Sequence, residues 1–160
     1  LVERVVTVTG KTLAHPANLL VRIGTPIRSL IELCGGMPQD SLKVINGGPM
    51  MGRAVSNIDA PVTKGTSGVV IMRNCEALRP ASGSCIKCAK CVSVCPMALE
   101  PYLMSKLSQR GRYDELEPLK ITDCIECGSC AYTCPAALPL LDYIRLGKSE
   151  TIKRIRARKS

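Results

Sequence analysis

The first half of the chain alternates between strand-like and helix-like runs. Val5-Val6-Thr7-Val8-Thr9 is a β-branched run stopped by Gly10, which predicts a strand. Asn18 to Ile23 predicts a second. The apolar period then changes. Ile27, Leu30, Ile31 and Cys34 fall at i, i+3, i+4 and i+7, one face of a helix. Thr25 is its expected N-cap and Pro26 its first helical residue. Gly35-Gly36 ends it. Lys43-Val44-Ile45 and Gly68 to Met72 predict further strands, with the turn Asn46-Gly47-Gly48-Pro49-Met50-Met51-Gly52 between them. Strands, one helix, then strands predict a small β-grasp-like α+β unit.

The second half is organised by cysteine. Cys85, Cys88, Cys91 and Cys95-Pro96 form one C-x2-C-x2-C-x3-C-P run, and Cys124, Cys127, Cys130 and Cys134-Pro135 form another. This is the bacterial ferredoxin spacing, which ligates a [4Fe–4S] cluster with thiolates. Two runs predict two [4Fe–4S] clusters. In two-cluster ferredoxins the fourth cysteine of each run serves the other cluster. The expected ligand sets are therefore Cys85, Cys88, Cys91 and Cys134, and Cys124, Cys127, Cys130 and Cys95. Structural zinc would use separated C-x2-C pairs. Disulfides belong to oxidising compartments, and no signal-peptide pattern is visible. Tyr102 to Gln109, Tyr113 to Leu119 and Leu140 to about Arg158 predict helices, the last despite Gly147. Helical linkers predict an α-helical ferredoxin type. The expected domains are 1–74, β-grasp, and 75–160, a two-cluster ferredoxin unit, joined near the polar stretch Arg79 to Ser84.

Charge and composition narrow the partners. The formal net charge is +9, and the tail from Arg145 to Ser160 supplies +6 of it, with seven Lys/Arg against Glu150 alone. Eight thiolates and two oxidised cores bring the oxidised holo-protein to about +5. Such a tail suits anionic lipid or an acidic partner subunit, or else is a solvated helix end. The chain has no Trp or Phe, and all four Tyr lie in the second half. The first half thus lacks the stacking platforms of single-stranded nucleic-acid binders, and no nucleic-acid partner is expected. No run of 18 apolar residues exists, so nothing here is expected to span a membrane. The first residue is Leu1, not Met, which predicts a piece of a longer protein. No acid, base or nucleophile constellation stands out, so no bond chemistry is expected of this chain alone.

Other motifs carry less. Cys34 lies on the apolar helix face and reads as core. Cys75 precedes the first run by ten positions and reads as a spare or packing thiol. His15, before Pro16, reads as a surface or hydrogen-bonded histidine. The Gly47–Gly52 turn either closes the sheet or lets a cofactor or partner approach the backbone.

Ile23-Gly24-Thr25-Pro26-Ile27, the helix ending Cys34-Gly35-Gly36, the turn Asn46 to Gly52 and the two cysteine runs occur here in the order found in the C subunit of Rnf complexes. The chain resembles that family over nearly all its length. The resemblance implies an electron-transfer module of a membrane-bound, ion-translocating ferredoxin/NAD oxidoreductase. It implies a β-grasp unit of the soluble-ligand-binding type and a two-cluster ferredoxin unit. It also implies a peripheral place on the cytoplasmic face of the bacterial inner (plasma) membrane, held through other subunits of the complex, with a redox protein as donor or acceptor. FMN and NAD are expected only on a missing domain of the full-length protein, because no Gly-rich dinucleotide fingerprint occurs here. A cobalamin reductase of the propanediol-utilisation type shares a similar domain order. A binding module with structural clusters is the reading from outside redox chemistry.

Overall fold

The computed structural model describes residues 1–159, with the side chain of Lys159 left aside. Ser160, the end of the basic tail, lies outside the described residues. The chain divides after Arg79 into two compact units.

The first unit is a five-stranded mixed sheet with one helix on it. The strands are β1 (Glu3–Gly10), β2 (Ala17–Arg22), β3 (Ser41–Asn46), β4 (Arg53–Val55) and β5 (Gly68–Arg73). Their order is β2-β1-β5-β3-β4. Strands β1 and β5 run parallel, and the other pairs are antiparallel. This is the expected β-grasp arrangement. Val6 and Val8 of β1 are fully buried while Val5 and Thr7 are exposed, the period of a strand with one covered face. The cover is α1 (Ile27–Leu33). Its buried Ile27, Leu30 and Ile31, with Cys34 just beyond, join Val6, Val8, Val69 and Ile71 in one core. Each fully buried aliphatic side chain of this kind contributes about 1.5–3 kcal/mol. The composition change after residue 74 does not mark the contact boundary. A short helix, α2 (Asn74–Ala77), packs back on the sheet, and Lys43 Nζ donates to the Ala77 carbonyl at 2.9 Å.

The start of α1 differs from expectation. Thr25 is not the N-cap. Pro26 holds that place in extended backbone, paired with Pro61, and no side chain caps the helix. Backbone carbonyls of the loop 57–62 cap it instead. The Ile27 N–H donates to the Ala60 carbonyl at 3.0 Å and the Arg28 N–H to the Ile58 carbonyl at 2.8 Å. Free amides of a first helical turn need some acceptor, and backbone carbonyls serve as well as a hydroxyl. The Gly47–Gly52 turn closes the β3–β4 hairpin. A Cβ on Gly52 would overlap Ile45 Cγ2, so the turn needs glycine there to close.

The second unit is helical. It contains α3 (Lys90–Ser93), α4 (Pro101–Gln109), α5 (Ser129–Thr133) and α6 (Leu140–Lys159). The helix expected over Tyr113 to Leu119 is absent. Two 3-10 turns, Tyr113–Glu115 and Ile121–Asp123, replace it. They bring Leu116 and Ile121, both fully buried, under α6. Pro118 lies inside the expected stretch, where it lacks the helical N–H donor and its ring clashes with the preceding turn. The surroundings of Gly147 explain why α6 carries a glycine in its interior. A Cβ there would overlap Ser108 Oγ and would stand 2.8 Å from Leu116 Cδ1 and 3.1 Å from Ile121 Cδ1. Helices α4 and α6 therefore touch backbone to side chain at this point. The buried hydroxyls beside it are satisfied within their own helices. Ser108 donates to the Met104 carbonyl at 2.7 Å and Thr151 to the Gly147 carbonyl at 2.8 Å.

Gly147→Val overpacks the α4–α6 contact and is expected to cost at least about 1–3 kcal/mol. Gly48→Val points into open space, and its effect is expected to stay within about 0.5 kcal/mol. Thermal denaturation of the two variants beside the parent chain checks both.

Candidate iron–sulfur centre

The two cysteine runs form a structural repeat with a 39-residue spacing. Positive-φ backbone recurs at Lys87 and Glu126, at Ala89 and Gly128, and at Ala98 and Ala137. Five of these six are not glycine, so the left-handed conformation is adopted against its steric cost at matched places. Strained backbone of this kind clusters at ligand clamps. Each run then enters a short helix, α3 or α5, leaves through a Cys-Pro step, and feeds a longer helix, α4 or α6. The repeat places Ser108 and Gly147 at equivalent positions, and these are the residues that meet at the helix crossing.

The halves are joined at their ends. The Gly83 N–H, just before Cys85, donates to the Ala136 carbonyl at 2.9 Å. Ser82 Oγ donates to the Ala137 carbonyl at 3.2 Å. The approach to the first run is thus tied to the segment just after Cys134. Electrostatics reports the same neighbours. Burial pushes the Cys91 thiol up, and the Cys134 thiol adds to the shift. Burial pushes Cys124 up, the Glu126 N–H and Lys148 oppose it, and Cys95 adds to it. Cys130 is pushed up to about 11, first by burial, then by Cys124, Cys127 and Cys91. Cys127 goes the other way, because the Ser129 hydroxyl and N–H favour its thiolate. Cys85 and Cys88 are exposed, in a segment without regular structure.

Sulfur also accepts backbone hydrogen bonds here. The Leu99 N–H reaches Cys95 Sγ and the Glu126 N–H reaches Cys124 Sγ, both at 3.4 Å. Among the described residues no three Cys, His, Asp or Glu converge as ligands of a single ion. Four ligands around one zinc each sit about 2.0–2.3 Å from it. A cubane instead presents four separate irons, one to each thiolate. The donor set, the strained loops and the N–H···S contacts fit such a core.

The remaining sequence candidates fall outside this centre. Cys34 is fully buried in the sheet unit, and burial pushes its thiol up. Cys75 is exposed on α2, and His15 is exposed with its N–H donating to the Cys34 carbonyl at 3.0 Å. The basic tail is not loose. Arg154 pairs with Asp114 and lies 5.3 Å from the centroid of the Tyr113 ring. Arg158 pairs with Glu117, and Lys153 with Glu150 at 2.6 Å. These contacts use part of the tail's charge within the unit itself. One contact had no sequence signal strong enough to find it. Arg145 and Lys148 of α6 hold Glu126, the residue between Cys124 and Cys127.

A β-grasp unit followed by paired cysteine loops defines a class: a β-grasp domain joined to a dicluster iron–sulfur domain. Residues 5–54 match the SLBB domain and residues 78–135 match the 4Fe-4S dicluster domain, so the protein carries two [4Fe–4S] clusters. The chain belongs to the family formed by the C subunits of ion-translocating (Rnf) oxidoreductase complexes. It is 46% identical over 151 residues to the C subunit of the proton-translocating ferredoxin:NAD(+) oxidoreductase complex of Clostridium ljungdahlii, covering 94% of this chain and 33% of that protein. It is 45% identical over 152 residues to the C subunit of the Na(+)-translocating complex of Acetobacterium woodii, covering 95% and 34%. It is 44% identical over 151 residues to the C subunit of the ion-translocating oxidoreductase complex of Yersinia enterocolitica, covering 94% and 22%. The chain spans about a third or less of the length of these curated relatives.

Cluster insertion consumes thiolates. Burial holds the Cys130 proton to about pH 11, so insertion must release it, and reconstitution is expected to slow as pH falls. In the cluster-free chain at about pH 8, Cys127 is expected to alkylate faster than Cys130, and Ser129→Ala to narrow the gap. Mass spectrometry of iodoacetamide-treated protein reads both.

Proposed function

We propose that this chain is the electron-relay module of an ion-translocating ferredoxin:NAD oxidoreductase complex. The observation that carries the reading is the doubled cysteine loop on a matched backbone, in a chain aligned almost end to end with part of a known C subunit. When bound, the two clusters supply one-electron storage at two neighbouring points. In this reading Cys85, Cys88, Cys91 and Cys134 hold one cluster, and Cys124, Cys127, Cys130 and Cys95 hold the other. The Gly83–Ala136 hydrogen bond, which ties the approach to the first run to the segment after Cys134, supports that exchange.

The chain's own residues position the loops and cover them from one side. Leu99, Leu116, Ile121, Leu140 and Ile144 form the buried floor beneath the cysteines. Leu99 and Glu126 N–H groups steady two of the sulfurs. The flavin and nicotinamide sites belong, in this reading, to parts of the full-length protein outside this chain. No described helix is long and apolar enough to cross a membrane. In this reading, attachment at the cytoplasmic face of the inner membrane is through contacts with other subunits. The sheet unit, residues 1–74 with α2 packed on it, serves as the partner- or ligand-binding element.

Electron paramagnetic resonance of the anaerobically reconstituted, dithionite-reduced chain tests the reading. Two S = 1/2 centres per chain, broadened by mutual interaction, are expected. A single isolated centre, or zinc in place of iron, would sink it.

A further inference from the structure

The backbone repeat makes the two cluster loops nearly equal, but their charges are not. Glu126 in the second loop has Lys87 as its counterpart in the first. Arg145 and Lys148 of α6 have Lys106 and Gln109 of α4 as theirs. Only the second set makes a clamp. Arg145 Nε stands 2.9 Å from Glu126 Oε2, and Lys148 Nζ stands 3.6 Å from Glu126 Oε1. Lys148 Nζ also donates to the Cys124 carbonyl at 2.6 Å. These three side chains are only 19, 20 and 27% exposed for Arg145, Lys148 and Glu126. On the other half, Lys87 and Lys106 are both exposed and carry like charge, so they cannot pair. Gln109 is neutral, and its amide lies 3.5 Å from Ser105 Oγ.

We propose that Lys148, held with Arg145 against Glu126, is a positioning residue that sets the reduction potential of the cluster at Cys124, Cys127, Cys130 and Cys95, and of that cluster alone. The inference rests on the ligand assignment above. The physical reason is charge. Each cluster accepts one electron, passing from [4Fe–4S]2+ to [4Fe–4S]1+, and with four thiolates its net charge falls from −2 to −3. A cation fixed beside the loop in a partly dry site stabilises the more negative state and raises the potential. A carboxylate in the same place does the reverse. The first loop has no fixed, half-buried charge of either sign among its counterparts, and its exposed lysines are screened by water and salt. The two clusters thus differ in how they are tuned although their backbones match. Lys148 also bears on geometry, since its bond to the Cys124 carbonyl holds the loop's first ligand.

The test is a redox titration of the full chain with both clusters, followed by paramagnetic resonance, with dithionite as the electron source. Lys148→Met keeps the aliphatic stem and removes the charge. It is expected to lower one of the two midpoints by about tenfold in the reduction equilibrium, which is about 59 mV for one electron. Glu126→Gln is expected to raise that same midpoint, with the other nearly fixed. Lys148→Arg is expected to restore the parent value. Midpoints that move together, that do not move, or that shift in different clusters for the two variants overturn the proposal, provided about eight irons per chain are retained. If Lys148→Met loses a cluster, the sign of the Glu126→Gln shift decides. Loss of that cluster from both variants also overturns the proposal, because the clamp would then serve assembly and not potential. A parent chain with one paramagnetic centre would instead count against the two-cluster relay on which the proposal rests.

Discussion

The helical unit depends on one close approach. Gly147 of α6 sits where any side chain would strike Ser108, Leu116 and Ile121. Because that contact is made without a Cβ, α4 and α6 pack tightly enough to act as one support for both cysteine loops. The residues that meet are equivalents in the 39-residue repeat, so the crossing is also the natural centre of the repeat. From it, each helix leads back through a Cys-Pro step to its own loop. Loosening the crossing would separate the halves, and an exchanged set of ligands needs the halves held together.

The sheet unit follows a different logic. Its core is aliphatic, built by one face of α1 on the inner faces of β1 and β5. The turn at Gly47–Gly52 closes a hairpin and presents Met50 and Met51 outward, 39 and 53% exposed. The cysteine runs all lie outside this unit, in residues 85–134. The dicluster domain falls within residues 78–135.

Much of this was legible in the sequence because strong local rules were at work. The β-branched run of β1, the i, i+3, i+4, i+7 face of α1 and the C-x2-C-x2-C-x3-C-P spacing each obey a short-range constraint. The failures were tertiary. Thr25 has the right chemistry for an N-cap, yet loop carbonyls from Ala60 and Ile58 took the amides first. The apolar content of Tyr113 to Leu119 reads as helix, but Pro118 interrupts it, and Leu116 and Ile121 are buried from turns. Strand β4 is three residues long and has no apolar alternation to announce it. The clamp at Glu126 joins residues 19 and 22 positions apart, a distance at which no sequence period operates. Gly147 looked like a weakness in α6 until its neighbours were known.

The central claim is that each cysteine run lends its last ligand to the other's cluster. Anomalous scattering at the iron edge, from crystals of the cluster-loaded chain, tests it most directly. Two iron centres are predicted, one bounded by Cys85, Cys88, Cys91 and Cys134, the other by Cys124, Cys127, Cys130 and Cys95. Iron centres each enclosed by the four cysteines of a single run, with Cys95 beside Cys91 and Cys134 beside Cys130, would contradict it.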